Sequence, residues 1–314
     1  MVHMEKTLEN KPYLENLGFS GMLGILPFDH RSYFEQLLGF TEPLTPDQSA
    51  QLSDYKKIVY SGYEKSLELG ISKESSALLV DDVFGLEILL DAKSKGYNVI
   101  QSTEISGDDH FEFQHGTDWK SWIEKVRPTF VKALVRYNPE DHQEKNKESL
   151  VGLKELSDYA HAHGYKFLIE PLSPASESQL VRVKNDKHRY DTELRPQLTA
   201  RMITEMQDHG IEPDVWKIEG MFDTDDYALV VASARAGGRT NAGVISLGRN
   251  ETDEIVETWL RIGAQVPGVI GFAVGRTIFL NALLKFRSNE FTRDQAVQEI
   301  AERFVHFYKV FEGK

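Results

Sequence analysis

Eight short apolar runs alternate with stretches of helical period along most of this chain. The runs are 22–28 (MLGILPF), 77–81 (ALLVD), 98–102 (NVIQS), 130–135 (FVKALV), 166–169 (KFLI), 215–218 (VWKI), 243–247 (GVISL) and 269–274 (VIGFAV). Most are nearly continuous in apolar residues rather than alternating, as expected of parallel strands covered on both faces. Between them, 46–69 carries Leu52, Tyr55, Ile58, Val59, Tyr63 and Leu67 at helical spacing. Further helices are predicted over 147–163, 192–209, 224–236, 251–265 and 277–286, several of them stopped by glycine. One more, 293–311, lies beyond the last strand. This alternation predicts an α/β fold, a (β/α)8 TIM barrel forming a single domain with an extra C-terminal helix. A doubly wound open sheet is the runner-up, weakened because no Gly-rich dinucleotide fingerprint follows any strand. The expected organisation is an N-terminal extension over 1–20 and the barrel over 21–314. The polar stretch 172–191, after the fifth strand, reads as a lid or an oligomer contact, and a homo-oligomer is expected.

Charge and composition narrow the function. A net charge of −13 over 314 residues argues against a general nucleic-acid or anionic-membrane binder. It leaves room for an anionic substrate, since a few Arg and Lys residues make a locally positive pocket. There is no cysteine, which excludes disulfides, thiolate metal sites and cysteine nucleophiles. No apolar run approaches the ~18 residues of a membrane span, and no signal peptide is visible. A cytoplasmic enzyme with a small-molecule substrate is expected.

Barrel active sites lie at the C-terminal ends of the strands, and here every such end carries a charged group. In order they are Asp29-His30-Arg31, Asp81-Asp82, Glu104, Lys132 with Arg136, Glu170, Lys217 with Glu219, Gly248-Arg249 and Gly275-Arg276. Lys217 stands out because Val215, Trp216 and Ile218 surround it. Burying an ammonium is costly unless it is paired or neutralised, and a desolvated lysine is available as a nucleophile. The bland reading is a strand-end lysine paired with Glu219 or Asp214. A cationic Lys132 beside Lys217 would disfavour protonation of Lys217. Alternatively Lys132 is a contact for a substrate anion, and sequence does not decide whether it points inward.

The last two strand ends suit an anion. Loops after strands seven and eight form the usual phosphate site of barrels. Gly275 allows close backbone approach, Arg276 supplies a forked cation, and the following helix offers free N–H groups. Gly248-Arg249 can supply the same next door. His110, His115, His161 and His163 lack a spacing that would hold a metal on one face, so neither a metal nor a cofactor is expected.

Four motifs carry a resemblance over most of the chain: PFDHRSYFE near the start, VKALVRYNP in strand four, DVWKIEG in strand six and GFAVGRTIF in strand eight. They resemble the aldolase domain at the C-terminus of inositol-catabolism IolC fusion proteins, related to 2-deoxy-5-keto-gluconate 6-phosphate aldolase. More distantly the chain is similar to tagatose-1,6-bisphosphate aldolase. The resemblance implies class I aldol chemistry on a phosphorylated keto sugar. It puts the Schiff-base lysine at Lys217, a carboxylate at Glu170, substrate contacts at Asp29, Arg31 and Lys132, and phosphate at Gly275 and Arg276. The sequence lacks the kinase domain of the fusions, and the segments after strands five and six, including Gly220-Met221-Phe222, depart from the family pattern.

Catalysis is thus expected of Lys217, Glu170, Asp29 and Lys132. Substrate or phosphate binding is expected of Arg31, Asp81, Gly248, Arg249, Gly275 and Arg276. Which carboxylate moves protons is open among Glu170 and the strand-one and strand-two aspartates. Two other functions stay open: a metal-dependent sugar-phosphate aldolase or isomerase, and a non-catalytic sugar-phosphate-binding partner of a sugar kinase.

Overall fold

The computed structural model describes residues 12–107, 110–141 and 143–313. The first eleven residues of the expected N-terminal extension therefore lie outside the described residues.

Eight parallel strands close into a barrel, each bonded to the next and the last to the first. They are β1 (Leu23–Pro27), β2 (Ser76–Val80), β3 (Asn98–Ser102), β4 (Phe130–Arg136), β5 (Lys166–Leu172), β6 (Val215–Glu219), β7 (Gly243–Leu247) and β8 (Val269–Ala273). The predicted (β/α)8 barrel is the observed one, with strand boundaries displaced by at most three residues. Its helices, in chain order, begin with α1 (Pro12–Asn16), α2 (Ser32–Leu38), α3 (Pro46–Glu68), α4 (Asp82–Ser94), α5 (Trp119–Val126) and α6 (Gln143–Ala162). Then come α7 (Glu177–Arg182), α8 (Lys187–Arg189), α9 (Arg195–Asp208), α10 (Thr224–Ala234), α11 (Asp253–Gly263), α12 (Arg276–Arg287) and the extra C-terminal α13 (Arg293–Glu312).

α3 and α13 start where their sequences say they should, whereas α6 starts at Gln143, four residues before the predicted 147. Thr45 and Gln48 form a reciprocal capping box on α3, with Pro46 in its first turn, and Thr292 and Gln295 do the same for α13. α9 begins at Arg195, three residues later than its periodicity suggests, because Tyr190–Leu194 winds as one π-helical turn. The 172–191 stretch is structured: β5 runs on to Leu172, and α7 follows behind a Ser176 capping box. Among the described residues no helix is long and apolar enough to cross a membrane.

Two apolar layers sandwich the sheet. Outward residues such as Leu78, Val80, Val131 and Trp216 meet the helices, while Leu23, Ile25, Leu79, Ile100, Phe130, Leu168, Val215 and Ile245 fill the barrel's interior. Leu17, just before β1, belongs to that inner cluster. A Cβ on Gly243 would lie 2.1 Å from the Gly18 carbonyl oxygen, so the segment before β1 seals the barrel's N-terminal end.

The seam between β8 and β1 closes the barrel with Gly271 opposite Leu23. A Cβ on Gly271 would lie 2.0 Å from the Leu23 carbonyl oxygen, and this backbone obstacle cannot swing aside as a side chain would. Gly271→Ala is expected to destabilise the barrel by about 1–3 kcal/mol. Urea denaturation checks this; an unchanged midpoint would show that the seam tolerates displacement.

Candidate active site

Strand parity decides which charged groups meet. On β4 the inward row is Phe130, Lys132, Leu134 and Arg136; the first lies in the inner apolar cluster and the other three line a cavity at the C-terminal mouth. On β6 the row is Val215, Lys217 and Glu219, and on β5 it is Leu168, Glu170 and Leu172. Register sets the heights. Leu134 pairs with Glu170 and Lys132 with Leu168, so Glu170 sits one inward row above Lys132. Leu168 pairs with Val215, which brings Glu170 level with Lys217 one row up. The orientation of Lys132 that the sequence left open is therefore inward, towards the same space as Lys217.

The resulting network lies at the base of a cavity of about 430 Å³. Lys132 Nζ lies 2.8 Å from Asp29 Oδ2, 2.5 Å from Glu104 Oε1 and 3.1 Å from Glu170 Oε2. The other oxygen of Glu170, Oε1, lies 2.7 Å from Lys217 Nζ. One carboxylate thus bridges two ammonium groups whose residues are 1% and 3% exposed. Glu219 and Asp214, the other partners considered for Lys217, are engaged elsewhere. Glu219 accepts from the Ser173 amide and faces Arg249. Asp214 accepts from the Phe167 amide and faces His161.

Burial opposes every charge in this network, and the neighbours decide the outcome. It pushes the Lys132 ammonium down, but Asp29, Glu104 and Glu170 outweigh it and hold that pKa well above the ordinary lysine value. Burial pushes the Asp29 carboxyl up, yet Lys132, His30 and Lys217 hold it far below the usual carboxylate range. Glu170 is lowered too, against burial, by Lys217 and then Lys132. Lys132, surrounded by three carboxylates, is the permanent cation at the centre of the network.

The rim adds a neutral base and an arginine. The His30 pKa is lowered to about 4, by burial first and then, against the pull of Asp29, by Arg276 and Lys217. At neutral pH its ring is uncharged, and its Nδ1 lies 3.9 Å from Asp29 Oδ1, outside hydrogen-bond reach. Arg276 opens α12 and lies over the Tyr33 ring, 5.1 Å from its centroid. A Cβ on Gly275 would lie 2.3 Å from the Pro27 carbonyl oxygen, so only glycine lets the backbone turn from β8 into α12 here. Gly248 also lines the cavity. Arg249 follows at φ 51° with Asn250 at φ 65°, both left-handed without being glycine. Arg249 is held 2.9 Å from Asp191 Oδ1 and 3.4 Å from Glu219 Oε1. It is therefore already committed to protein carboxylates, whereas Arg276 has no ion pair among the described residues.

Two expected contacts have other duties. Arg31 lines the cavity, but its guanidinium donates to the Glu104 carbonyl oxygen and to Gln114 Oε1 at 2.6 Å, steadying the β3 end. Asp81 is absent from the cavity lining and fully buried. It caps α4 by accepting from the Phe84 amide at 2.8 Å and pairs with Lys56 Nζ at 2.6 Å. These contacts, and its absence from the cavity lining, place Asp81 apart from the substrate contact expected of it. Glu104, His30 and Tyr33 were missed as members of the site, although the first two stood in the list of strand ends. The histidines weighed as metal ligands are dispersed: His110 meets Glu112, His115 meets Asp82 and His161 meets Asp214. Among the described residues no group of three or more His, Asp and Glu side chains is arranged to hold a metal ion.

Comparison with known proteins agrees on the fold. An archaeal fructose 1,6-bisphosphate aldolase superposes with TM-score 0.57 at 12% identity, covering 96% of this chain and 100% of its own. A Corynebacterium glutamicum protein does so with TM-score 0.54 at 17% identity, over 95% and 93%. A fructose-bisphosphate aldolase from Slackia heliotrinireducens gives TM-score 0.55 at 14% identity, over 96% and 87%. No curated protein matches the sequence. A family model described as an uncharacterized protein conserved in bacteria (DUF2090) matches residues 18–314.

The neutral His30 makes a pH signature. An unfolded histidine takes up a proton near pH 6.5, but folded His30 does so only near 4. The unfolded chain binds more protons between those values, so stability falls as pH drops from about 6.5 to about 4. The depressed Asp29 and Glu170 contribute above the ordinary carboxylate value and lose that contribution as pH falls from it towards their lower folded values, so they overlap only the acid end of this window. His30→Gln is expected to flatten the fall between pH 6.5 and 4, read as urea midpoints across that window. An equally steep fall in the variant would place the proton uptake elsewhere.

Proposed function

The chain belongs to the bacterial family DUF2090, and from the geometry of its site we propose that it is a class I aldolase. It cleaves a phosphorylated keto sugar through a Schiff base on Lys217. The observation that carries this reading is the pair of buried lysines sharing Glu170, with Lys217 Nζ 2.7 Å from a proton-accepting oxygen. The aldolase names of two structures with this fold are consistent with it.

The residues divide the chemistry as follows. Lys217 gives a proton to Glu170, and its free amine attacks the ketone carbon, whose oxygen becomes a hydroxyl. Glu170 returns the proton to that hydroxyl, which leaves as water, and a protonated imine remains. The imine accepts the electron pair released when the adjacent C–C bond breaks, and the proton of the β-hydroxyl passes to a base as the aldehyde departs. Glu170 and Asp29, both lining that space, are the proposed bases. Lys132 stays charged throughout and holds both in place. The base then returns its proton to the carbon left by the cleavage, which restores the protonated imine, and water hydrolyses that imine to release dihydroxyacetone phosphate and Lys217.

Arg276, with the first amides of α12, is the proposed phosphate anchor, since Arg249 already serves Asp191 and Glu219. Binding the phosphate, which takes no part in the bond changes, holds the neighbouring ketone against the amine. The motif resemblance makes 2-deoxy-5-keto-gluconate 6-phosphate the first substrate to try, with a place in inositol catabolism.

Borohydride reduction in the presence of dihydroxyacetone phosphate is expected to add a covalent mass to Lys217. Lys217→Ala should lose both the adduct and cleavage; full activity in Lys217→Ala would overturn the Schiff-base reading. Arg276→Ala removes a charge-assisted contact of roughly 1.5–3 kcal/mol and should raise KM for the phosphorylated substrate by about one to two orders of magnitude. A non-phosphorylated analogue should be affected much less. Equal loss on both substrates would move the anchor elsewhere.

A further inference from the structure

Lys56 is a fully buried lysine remote in sequence from every strand end, on the inner face of α3. Its Nζ lies 2.6 Å from Asp81 Oδ2 and 4.5 Å from the centre of the Phe34 ring. The same ammonium donates to the Phe28 carbonyl oxygen at 2.5 Å and to the His30 carbonyl oxygen at 3.3 Å. Those two carbonyls flank Asp29. The cation therefore grips the backbone on both sides of the residue whose carboxylate lies 2.8 Å from Lys132 Nζ.

Burying an ammonium and a carboxylate together is poor value for stability alone. Desolvation costs several kcal/mol per ion, and well-packed apolar residues often serve a fold as well or better. What an apolar side chain at position 56 cannot supply is hydrogen bonds to two carbonyls past the end of β1. There the ladder offers less support: the Phe28 amide still bonds to the Leu79 carbonyl, but β1 ends at Pro27. Asp81 completes the clamp from the end of β2, and by capping α4 it fixes its own position.

We propose that Lys56 is a positioning residue for the reaction, a clamp that sets Asp29 against Lys132 and through Lys132 keeps Glu170 aligned with Lys217. This rests on the Schiff-base reading above. The contact chain has four links: Lys56 to the carbonyls around Asp29, Asp29 to Lys132, Lys132 to Glu170, and Glu170 to Lys217. It gives Asp81 a role, though not the substrate contact its place at a strand end suggested.

The test uses Lys56→Met and the charge-neutral double variant Lys56→Met with Asp81→Asn. The single variant leaves a buried carboxylate unpaired and can fail to fold. The double variant removes both charges and keeps an oxygen to cap α4. Lys217 is trapped with dihydroxyacetone phosphate and borohydride, the rate is followed by intact mass as the ligand concentration is varied, and melting temperature is recorded alongside. A misplaced carboxylate near the reacting centre costs up to about a hundredfold, so the double variant's maximal trapping rate should fall at least about tenfold while its half-saturating concentration stays within about threefold. An unchanged maximal rate would show Lys56 to be structural only. A shifted half-saturation at unchanged maximal rate would assign it to substrate binding instead, and would also overturn the clamp. Absence of any adduct in the unaltered protein would sink the Schiff-base reading. In that case a crystal structure of the double variant decides the clamp alone: Asp29 displaced from Lys132 supports it, and Asp29 still in hydrogen-bond contact overturns it.

Discussion

One carboxylate shared by two buried ammonium groups organises this molecule. Glu170 lies 3.1 Å from Lys132 and 2.7 Å from Lys217. Removed from water without partners, either lysine would lose its charge or destabilise the fold. Three carboxylates, Asp29, Glu104 and Glu170, therefore converge on Lys132, and each comes from a different strand end. Only a closed barrel brings β1, β3, β4, β5 and β6 ends to one point, so the chemistry and the closure are one requirement. The apolar inner cluster lies beneath, with Phe130, Leu168 and Val215 each one inward row below Lys132, Glu170 and Lys217 on the same strands.

The architecture was legible because it depends on periodicity. Eight apolar runs separated by helical stretches admit few folds, and parallel strands buried on both faces announce themselves as unbroken apolar runs. The site was legible as a set of strand ends, because topology alone sends those ends to one mouth. Sequence could not supply parity. A one-residue slip reverses every side chain of a strand, so whether Lys132 faced Lys217 awaited the register. Nor could it separate a strand-end aspartate that enters the cavity from one that caps a helix. Asp29 and Asp81 look alike in sequence, yet the first reaches Lys132 and the second caps α4.

Lys56 did leave a trace. It falls on the stripe Leu52, Lys56, Val59 and Tyr63, three of whose members are apolar and fully buried core residues. A lysine on the apolar stripe of an amphipathic helix is a local contradiction, and such contradictions concentrate near functional sites. The commitment of Arg249 to a protein carboxylate left none: its partner Asp191 lies in the π-helical turn at Tyr190–Leu194, a feature that neither composition nor period reveals.

The floor made by Leu17, Gly18 and the lowest inward row has a bearing on how such a chain can diverge. The lower half of the barrel is hydrocarbon packed against hydrocarbon, where exchanges that preserve volume cost little. The upper half is a lattice of paired charges, where a single neutralisation leaves its partner stranded. The rim above that, from the turn at Arg249 and Asn250 to the stretch between β5 and α9, belongs to neither. Exchanging segments at the rim therefore disturbs least of what lies beneath it: Lys217, the carboxylate it shares with Lys132 and the sealed base rest on contacts that the rim does not make.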